Sequence, residues 1–489
     1  MVEVLSGKLE TGRRHFRVDE REVASAKPRR ESPLYLGVRF LCAAFAAFGF
    51  ALEGRTALPC IDFSYDDGRQ VVVAQGTESL FHGQPSSAIL DDNRTIFCVW
   101  PYNHGGYGGM MAKSTDAGRT WTRIDELLPQ AAVKLFVECP MIHYLVDQNG
   151  KKRLWIWWGF RAQDETDAHT VGGSDARRAV ARAVTTDSCP GVMSEDDGAS
   201  WTVRAPLGAD FRNVLPFQGM IALGQRGSYV GFYHRGPEGC IDASPLEVCA
   251  ANTTDGGLNW SAPRVIAAKS GYDLGEPFAV RSPDGTEIAV IMRENTRKHP
   301  SQVVFSTDEG QSWSEPVDVP EGLTGDRHQG VMLADGRLVV CFRDYDPASP
   351  YYCHYVAWIG PYSALHGGDA LGAYKVRLFD NSYSTQKLGD CGYSGVHLLP
   401  GNEIVCTTYG QCDPNPIKKS IVSMRFKVAE ADFAVTNALS SSAPVAWFRA
   451  DTGIVTDADG NVVSWANNGS LKSGELPGVS AASASSKIR

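Results

Sequence analysis

Short runs of β-forming residues recur along the chain, and polar loops of one pattern follow several of them. The apolar stretches GGMMAK and QVVFS lead into the octapeptides STDAGRTW at 114–121 and STDEGQSW at 306–313. SEDDGASW at 194–201 and TTDGGLNW at 253–260 repeat the same spacing of Ser or Thr, Asp, Gly and Trp. A loop repeated at fixed internal spacing predicts a repeated strand unit rather than an isolated turn.

Each residue type in the octapeptide has a physical role in a tight turn. An Asp side chain accepts hydrogen bonds from nearby backbone N–H groups, and Gly adopts the positive φ that many turns need. The Trp ring can fold back under the loop. The loops begin at 114, 194, 253 and 306, so they are 80, 59 and 53 residues apart. Repeats of roughly 40–50 residues are typical of four-stranded propeller blades, with insertions in the longer intervals.

Composition agrees with an all-β fold and excludes several classes of protein. The 489 residues include 50 Gly and 26 Pro, as expected for many turns. Hydrophobic residues make up 43%, which is enough for a core and excludes global disorder. The net charge of −9 is spread without acidic blocks, and no basic stripe points to a nucleic-acid partner.

The N-terminal residues 1–54 are expected to be a targeting segment. Residues 1–34 are polar and Arg-rich, and 35–52 is apolar except for Arg39. The length of the apolar stretch suits a signal peptide and is marginal for a membrane span. We therefore expect a secreted, cell-surface or periplasmic protein, which contacts a membrane only if this segment is kept as an anchor. A buried helix is the alternative.

Three further regions follow. Residues 55–430 are predicted to form one propeller domain, and 431–443 read as a linker by composition. The tail at 444–489 has alternating strands around a DADGN turn and resembles the start of a concanavalin- or laminin-G-like jelly roll. About 45 residues are too few for its eight strands, so we expect a truncated fragment.

Twelve cysteines leave two interpretations open. Cys240 with Cys249, and Cys391 with Cys412, are close enough in sequence for local disulfides. Buried free thiols are the alternative. No Cys-x-x-Cys pair occurs, so the sequence predicts no metal site.

The four octapeptides resemble the Asp boxes of the sialidase (neuraminidase) superfamily, and the chain is identified as a divergent member. The resemblance implies a six-bladed β-propeller. Because Asp boxes lie at the periphery and also occur in other propellers, they argue for the fold and not for a function.

The chemistry of sialic acid release sets the requirements for a site. The substrate carboxylate calls for Arg side chains, and a neutral Tyr activated by a carboxylate is a better nucleophile beside that charge than a second anion. GEPFAVRSPDGTEIAVIMREN at 275–295 resembles the family stretch with the activating Glu and one clamp Arg, here Glu276 and Arg293. CGYSGVHLLPGNEIVCTTYG at 391–410 resembles the segment with the nucleophile, here Tyr393.

Further candidates come from the segment between these two and from the first blade. DRHQGVMLADGRLVVCFRDYD at 326–346 offers substrate-binding candidates and one acid, namely Arg327, His328, Gln329, Arg343 and Asp344. The family's Phe/Tyr-Arg-Ile-Pro motif is replaced by FHGQPSS, with Gly83 in place of the Arg and Gln84 as a polar neighbour. The expected acidic Asp is missing from YNHGGYGG, where His104 is the substitute, since His can act as an acid near neutral pH.

Three functions are consistent with these residues. The first is an exo-acting glycoside hydrolase without a cofactor that releases a terminal acidic sugar, above all sialic acid, from a sialylated or other acidic glycan. The second is a non-catalytic glycan-binding propeller, which the lost Arg and Asp favour. The third is a sialidase-fold polysaccharide lyase acting on uronic acids, which would also use Arg to neutralise a carboxylate.

Overall fold

Six antiparallel sheets follow one another in a closed ring. The computed structural model describes residues 58–106, 108–133, 136–161, 189–211, 214–237, 244–367, 370–382, 390–411, 419–442, 454–456 and 462–465. The first strand of each sheet contacts the first strand of the next, and the sixth sheet contacts the first in the same way. The protein is therefore a six-bladed β-propeller, as the sequence predicts.

The first three blades are preceded by two strands that complete later blades. These are β1 (Cys60–Asp62) and β2 (Gln70–Ala74). Blade one consists of β3 (Ser86–Ile89), β4 (Ile96–Trp100), β5 (Met110–Ser114) and β6 (Thr122–Arg123). A short helix α1 (Gln130–Val133) and β7 (Phe136–Val137) follow. Blade two consists of β8 (Met141–Val146), β9 (Lys152–Trp157), β11 (Gly191–Ser194) and β12 (Thr202–Arg204), and β10 (Phe160–Arg161) pairs with β7. Blade three consists of β13 (Leu215–Ala222), β14 (Tyr229–Arg235), β15 (Glu247–Thr253) and β16 (Arg264–Ala267).

Blades four to six follow in chain order. Blade four consists of β17 (Leu274–Arg281), β18 (Ile288–Glu294), β19 (Gln302–Ser306) and β20 (Val317–Asp318). Blade five consists of β21 (Gly325–Met332), β22 (Arg337–Asp344), β23 (Tyr355–Pro361) and β24 (Tyr374–Phe379). Blade six consists of β25 (Gly395–Leu399), β26 (Glu403–Gly410) and β27 (Ser420–Lys427).

The ring is closed by the N-terminal strands. β2 pairs antiparallel with β27 and becomes the fourth strand of blade six, so this blade combines residues from both ends of the domain. β1 pairs parallel with β24 and adds a fifth strand to blade five. Hydrogen bonds between distant parts of the chain thus hold the ring closed, without a disulfide among the described cysteines.

The Asp boxes lie between the third and fourth strands of blades one to four, at the periphery. In the first box, the hydroxyl of Ser114 donates to Asp116 at 2.8 Å, and Gly118 N–H donates to Ser114 Oγ at 2.8 Å. Gly118 has a φ of +79°, and the Trp121 indole N–H donates to its carbonyl at 3.2 Å. The predicted roles of Asp, Gly and Trp in the loop are therefore confirmed.

Each blade buries both of its faces against its neighbours. All five residues of β4 are buried. Phe278 of blade four and Val340 of blade five belong to one apolar cluster that spans the interface between their sheets. A sheet covered on both faces reads as an almost continuous apolar run. Polar side chains can therefore collect only at strand ends and along the central axis, which is where the candidate site lies.

Residues predicted to be a linker are instead helical. Helix α2 (Val428–Ser442) continues directly from β27. Its Val428, Ala431 and Val435 are buried at intervals of three and four residues, which is the spacing of one helix face. Asp432 accepts hydrogen bonds from Arg337 and Tyr374 of blade five. The Ser-rich end of the segment obscured this amphipathic pattern in the sequence.

The other predictions on domains and cysteines have mixed outcomes. Strands β28 (Ile454–Thr456) and β29 (Val462–Trp465) pair antiparallel in the tail. Cys249 and Cys391 have free thiols, in accord with the second interpretation of the cysteines. Cys240, Cys412 and residues 1–54 lie outside the described residues. Within the described part, no helix has the length and apolar character needed to cross a membrane.

Candidate functional site

A backbone feature shared by all six blades defines the candidate site. One residue with positive φ lies near the start of the first strand of every blade, and these residues are Gln84, Glu138, Phe217, Glu276, Arg327 and Gly392. In blades three, four and five, the strand register shifts at this point. Such bulges redirect side chains, and a left-handed non-Gly residue costs about 1–3 kcal/mol, which is typical of functional sites.

Tyr393 and Glu276 form a hydrogen-bonded pair across the ring. The Tyr393 hydroxyl, from blade six, donates to Glu276 Oε1, from blade four, at 2.5 Å. Their exposed fractions are 6% and 5%. Arg293 Nη1 lies 3.1 Å from the same carboxylate oxygen. The structure thus brings together the three residues that the family resemblance implies.

The electrostatics keep this pair as a neutral phenol and an ionised carboxylate. Burial alone would raise the pKa of Glu276, but the charges of Arg293 and Arg327 outweigh it and lower that pKa below its usual value. Burial, and then the charge of Glu276, raise the pKa of Tyr393 well above its usual value. The phenol of Tyr393 therefore stays protonated, and the ionised carboxylate of Glu276 accepts its hydrogen bond.

A buried aspartate pairs with Arg293 and Arg343, two of the arginines predicted to bind the substrate. Asp326 has no exposed surface and lies 3.0 Å from Arg293 Nε. Arg343 donates to its Oδ2 through Nε at 3.0 Å, and Arg297 donates to the same oxygen through Nη2 at 2.6 Å. Burial raises the pKa of Asp326, but these arginines hold it well below its usual value. Asp326 directly precedes Arg327 in the sequence, but no motif singles it out.

Arg327 differs from the arginines around Asp326. Its guanidinium lies over the Tyr393 ring, 4.8 Å from the centroid, and its Nη2 contacts Met141 Sδ at 2.9 Å. Only 2% of the residue is exposed. Its Nε and Nη1 have no hydrogen-bond partner among the described residues. Each such buried donor costs about 1–3 kcal/mol.

His104 belongs to a second cluster beside Tyr393. Its Nδ1 lies 3.2 Å from Asp390, which also accepts hydrogen bonds from Tyr409 at 2.5 Å and from Lys419 at 3.1 Å. Burial raises the pKa of Asp390, but His104 and Lys419 hold it well below its usual value. The rings of His104 and Tyr393 are 6.2 Å apart. Asp390 and Tyr409 had no signal in the sequence beyond their proximity to Tyr393 along the chain.

The hydrogen bonds of Gln84 indicate the tautomer of His104. Gly105 N–H donates to Gln84 Oε1 at 2.6 Å, which directs the amide nitrogen of Gln84 at His104 Nε2, 3.2 Å away. A donor faces Nε2, so the neutral ring carries its proton on Nδ1, toward Asp390. Nε2 is then the acceptor in the neutral state, and Asp390 favours the charged ring.

Three predicted residues do not join this arrangement, which corrects the sequence analysis. Asp344 is fully buried and pairs with Lys375 Nζ at 2.7 Å, because consecutive residues of a strand point to opposite faces and Arg343 takes the inner one. The Nε2 of His328 contacts the Leu323 carbonyl at 2.9 Å, and its ring stacks on Phe342. Gln329 donates to the Gln218 carbonyl at 3.0 Å.

Comparisons with known proteins support the fold and the repeats. Residues 241–360 match the BNR repeat-like domain. A protein of unknown function from Dyadobacter fermentans is 15% identical, with 73% of this chain and 97% of that chain covered and a TM-score of 0.54. A search of curated proteins found no match.

Two enzymes are among the other solved structures to which the chain shows similarity. An α-L-arabinanase from Penicillium chrysogenum is 14% identical over 73% of this chain and 97% of that chain, with a TM-score of 0.47. The NanB sialidase from Streptococcus pneumoniae is 12% identical over 74% and 71%, with a TM-score of 0.48. Both TM-scores are below 0.5, so neither of these structures supports an inference about this chain. The six blades and the BNR repeats confirm the predicted resemblance to the sialidase superfamily at the level of fold and repeat.

Proposed function

We propose that this protein is a glycoside hydrolase that releases a terminal acidic sugar, with sialic acid as the first substrate to test. The observation that carries the proposal is the buried hydrogen bond of 2.5 Å between the Tyr393 hydroxyl and Glu276. A phenol held against an ionised carboxylate is the arrangement of a nucleophile with its activating base. Tyr is suited to an acidic sugar because a neutral group approaches the anomeric carbon without repulsion from the substrate's carboxylate.

The proposed reaction has two steps. Tyr393 attacks the anomeric carbon and passes its proton to Glu276, while protonated His104 donates a proton from Nε2 to the departing glycosidic oxygen. That oxygen would take the place of the Gln84 amide as the partner of Nε2. Neutral His104 then accepts a proton from the attacking water, and Tyr393 leaves the anomeric carbon and regains its proton from Glu276. The sugar is released with its configuration retained, because inversion occurs twice.

The charge of the site favours an anionic substrate. Cationic side chains outnumber carboxylates in the two clusters, with five of one kind and three of the other: Arg293, Arg297, Arg327, Arg343 and Lys419 against Glu276, Asp326 and Asp390. A buried excess of positive charge raises the local concentration of an anion and lowers the cost of its desolvation. A neutral sugar gains nothing from it.

The test is release of free sialic acid from a sialyl glycoside by the full-length protein and two variants. We expect Tyr393→Phe to abolish release. Tyr362→Phe is the matched control, since Tyr362 also donates to a carboxylate, Glu287, at 2.8 Å, but in a different place. Full activity in Tyr393→Phe, or equal losses in both variants, would contradict the proposed role of Tyr393.

A second candidate is a lyase that cleaves a uronic-acid glycan by β-elimination. The observation that favours it is that Arg327 has two guanidinium donors, Nε and Nη1, without a hydrogen-bond partner among the described residues, and one arginine suffices to neutralise a uronate. His104 would accept the proton at C5, and Tyr393 would donate one to the departing oxygen. Ultraviolet absorbance of an unsaturated uronate product distinguishes this reaction, since hydrolysis gives no such chromophore. Binding of an acidic glycan without either product would indicate a non-catalytic propeller.

A further inference from the structure

We infer that His234 is a positioning residue, which holds Glu276 in the backbone conformation of the site by accepting a hydrogen bond from its N–H. Gln218 and Gln329 belong to the same hydrogen-bond network behind the site. The effect of His234 on catalysis rests on the proposed function, whereas its effect on the position of Glu276 does not.

The backbone at Glu276 is unfavourable for two reasons. Glu276 has a φ of +48°, in the left-handed region that non-Gly residues avoid. It also directly precedes Pro277, and a residue before Pro favours an extended backbone with negative φ. Such a conformation persists only where the surrounding structure imposes it. Contacts from outside this segment must therefore hold Glu276 in place.

The bulge in β17 takes Glu276 out of the strand ladder. The register shifts between Gly275 and Phe278, so Glu276 and Pro277 fall outside the pairing of β17 with β18. Pro has no N–H, so Glu276 carries the one backbone donor of this pair. That N–H donates to Nδ1 of His234, on β14 of blade three, at 3.1 Å. The ring thus supplies a bond that the bulge removes from the ladder.

The donors around His234 show which ring nitrogen is the acceptor. A backbone N–H can only donate, so Nδ1 accepts, and the hydrogen of the neutral ring lies on Nε2. A side-chain oxygen of Gln218, 2.9 Å from the same Nδ1, would face another acceptor. With this amide turned over, its nitrogen donates to the ring instead, and a buried nitrogen that otherwise has no partner among the described residues gains one. Both side chains are buried, so water does not replace these bonds.

The network joins the bulges of three blades. Gln218 lies in the register shift of blade three, and Gln329 ends that of blade five. Gln329, a substrate-binding candidate in the sequence, donates to the Gln218 carbonyl at 3.0 Å. A Cβ on Gly219 would lie 3.0 Å from the Pro277 carbonyl oxygen, so the bulges of blades three and four are in close contact. The position of Glu276 is therefore set by the blades on both sides of it.

Glu276 needs this support because its bond to Tyr393 is short. The Tyr393 hydroxyl lies 2.5 Å from Glu276 Oε1. Without an acceptor for its N–H, the strained backbone of Glu276 would relax toward negative φ and carry the carboxylate away from the phenol. A displacement of about 1 Å at a catalytic group can lower a rate roughly 100-fold.

The experiment compares two substitutions of nearly equal size in the full-length protein. His234→Asn places an amide oxygen where Nδ1 lies, whereas His234→Leu has the same shape without an acceptor. His234→Gln keeps an amide but moves its oxygen farther from the backbone. His354 is the matched control site, because its Nδ1 accepts the Asn381 N–H at 3.0 Å beside the outer strands of blade five. Sugar-release kinetics and crystal structures are obtained for the wild type and each variant.

The acceptor, and not the ring, should decide the outcome. We expect His234→Leu to lower kcat roughly 100-fold and to change KM less than about threefold, because Glu276 acts in the transition state. His234→Asn should keep kcat within about fivefold of wild type, and His234→Gln should lose as much as the Leu variant. His354→Leu should stay within about twofold of wild type. In the crystals, the bond between Tyr393 and Glu276 should be kept in His234→Asn and broken in His234→Leu.

The role of His234 and the proposed function fail in different ways. A His234→Leu structure in which Glu276 keeps its positive φ and its bond to Tyr393 would overturn the role of His234, as would equal kcat values for the Asn and Leu variants of an active protein. Displacement of Glu276 in His234→Leu, in a protein whose wild type releases no sugar, would support that role and contradict the hydrolase. If the Leu variant does not fold, the Asn and Gln variants decide by the same two measurements.

Discussion

The Asp-box loops and the starts of the first strand of each blade both recur around the ring. The Asp boxes repeat a residue pattern, whereas the strand starts repeat a backbone conformation. The four Asp boxes share their residues, and each Asp accepts hydrogen bonds within its own loop, as Asp116, Asp196, Asp255 and Asp308 do. The six inner positions share a positive φ but carry five different residue types. The residues are repeated where every copy makes the same hydrogen bonds within its own loop. They differ where each position contacts a different residue of the site.

The two regions also differ in how far their contacts reach. The hydrogen bonds that the Ser or Thr and the Asp side chains of an Asp box make within the loop join residues two to four apart in sequence. Glu276 and Tyr393 are 117 residues apart, and Arg327 contacts Met141 across 186. Changes in the outer repeats should therefore alter local stability, whereas changes at the inner positions should alter activity or the whole domain.

The largest effect is expected from Glu276. Glu276→Gln keeps the shape of the side chain but removes the base and the charge that Arg293 and Arg327 face, so sugar release should fall by roughly three orders of magnitude or more. Release rates for the wild type and the variant test this directly. Glu287→Gln, at the distant Tyr362 pair, should keep wild-type rates. Similar rates of sugar release in the wild type and both variants would contradict the claim that Glu276 acts in the reaction and Glu287 does not.

Asp326 should have the next largest effect, on stability. Asp326→Asn removes a fully buried carboxylate from the three guanidinium groups that it pairs with, and the free energy of unfolding should fall by about 3–5 kcal/mol. The surface pair of Asp335 and Arg337 is the control, and Asp335→Asn should cost less than about 1 kcal/mol. Urea unfolding of both variants gives the comparison. A cost for Asp326→Asn no larger than that of the control would show that the buried cluster is not held by this carboxylate.

Acid should destabilise the inner region before the Asp boxes. Burial lowers the pKa of His82, His328 and His397 from 6.5 to about 4. The unfolded chain binds more protons than the folded one between these values, so their stabilising contribution is complete above about pH 6.5 and is lost as the pH falls toward 4. Each histidine contributes up to about 1.4 kcal/mol per pH unit.

The Asp boxes titrate in a lower range. Hydrogen bonds in their loops lower the pKa of Asp196 and Asp308 from 3.8 to about 2, so their contribution is lost only as the pH falls below about 4. His82→Gln, which keeps an acceptor for the Trp100 indole, should reduce the pH slope of stability between pH 4 and 6.5. An unchanged slope would show that His82 does not contribute to the loss of stability in acid. Urea unfolding at several pH values measures the slope.

The smallest effect is expected in an Asp box. Asp255→Ala removes hydrogen bonds from Asn259 and Thr253 within one loop, so stability should fall by about 1–2 kcal/mol and the rate of sugar release should stay within about twofold of wild type. Thermal unfolding and the release assay measure both. A large loss of activity without unfolding would mean that the outer repeat reaches the site.

The fold was predictable because its signals are local. The Asp boxes, the strand runs and their spacing each occupy a few consecutive residues, and they predict the third and fourth strands of blades one to four. Helix α2 was missed because its apolar face is only three buried residues long and its end is rich in Ser. Closure by β2 has no local signal, since the partner strand lies at the other end of the domain.

The candidate site was predictable only where a family motif exists. Glu276, Arg293 and Tyr393 come together as the resemblance implies. Asp326 and Asp390 could not be found, because their importance comes from arginines, histidine and lysine that only the closed ring brings near. His328 and Asp344 are candidates in the sequence because they are polar residues at probable strand ends, and the bulge at 326–329 makes strict alternation an unreliable guide there.

The most direct test of the central claim is detection of a covalent sugar on Tyr393 during turnover. The wild-type protein is mixed with a sialyl glycoside, quenched rapidly in acid, digested and analysed by mass spectrometry. The account predicts a peptide containing Tyr393 that carries the mass of one sugar residue, and no such adduct in Tyr393→Phe. Sustained release of sialic acid by Tyr393→Phe, with no adduct in the wild type, would contradict it.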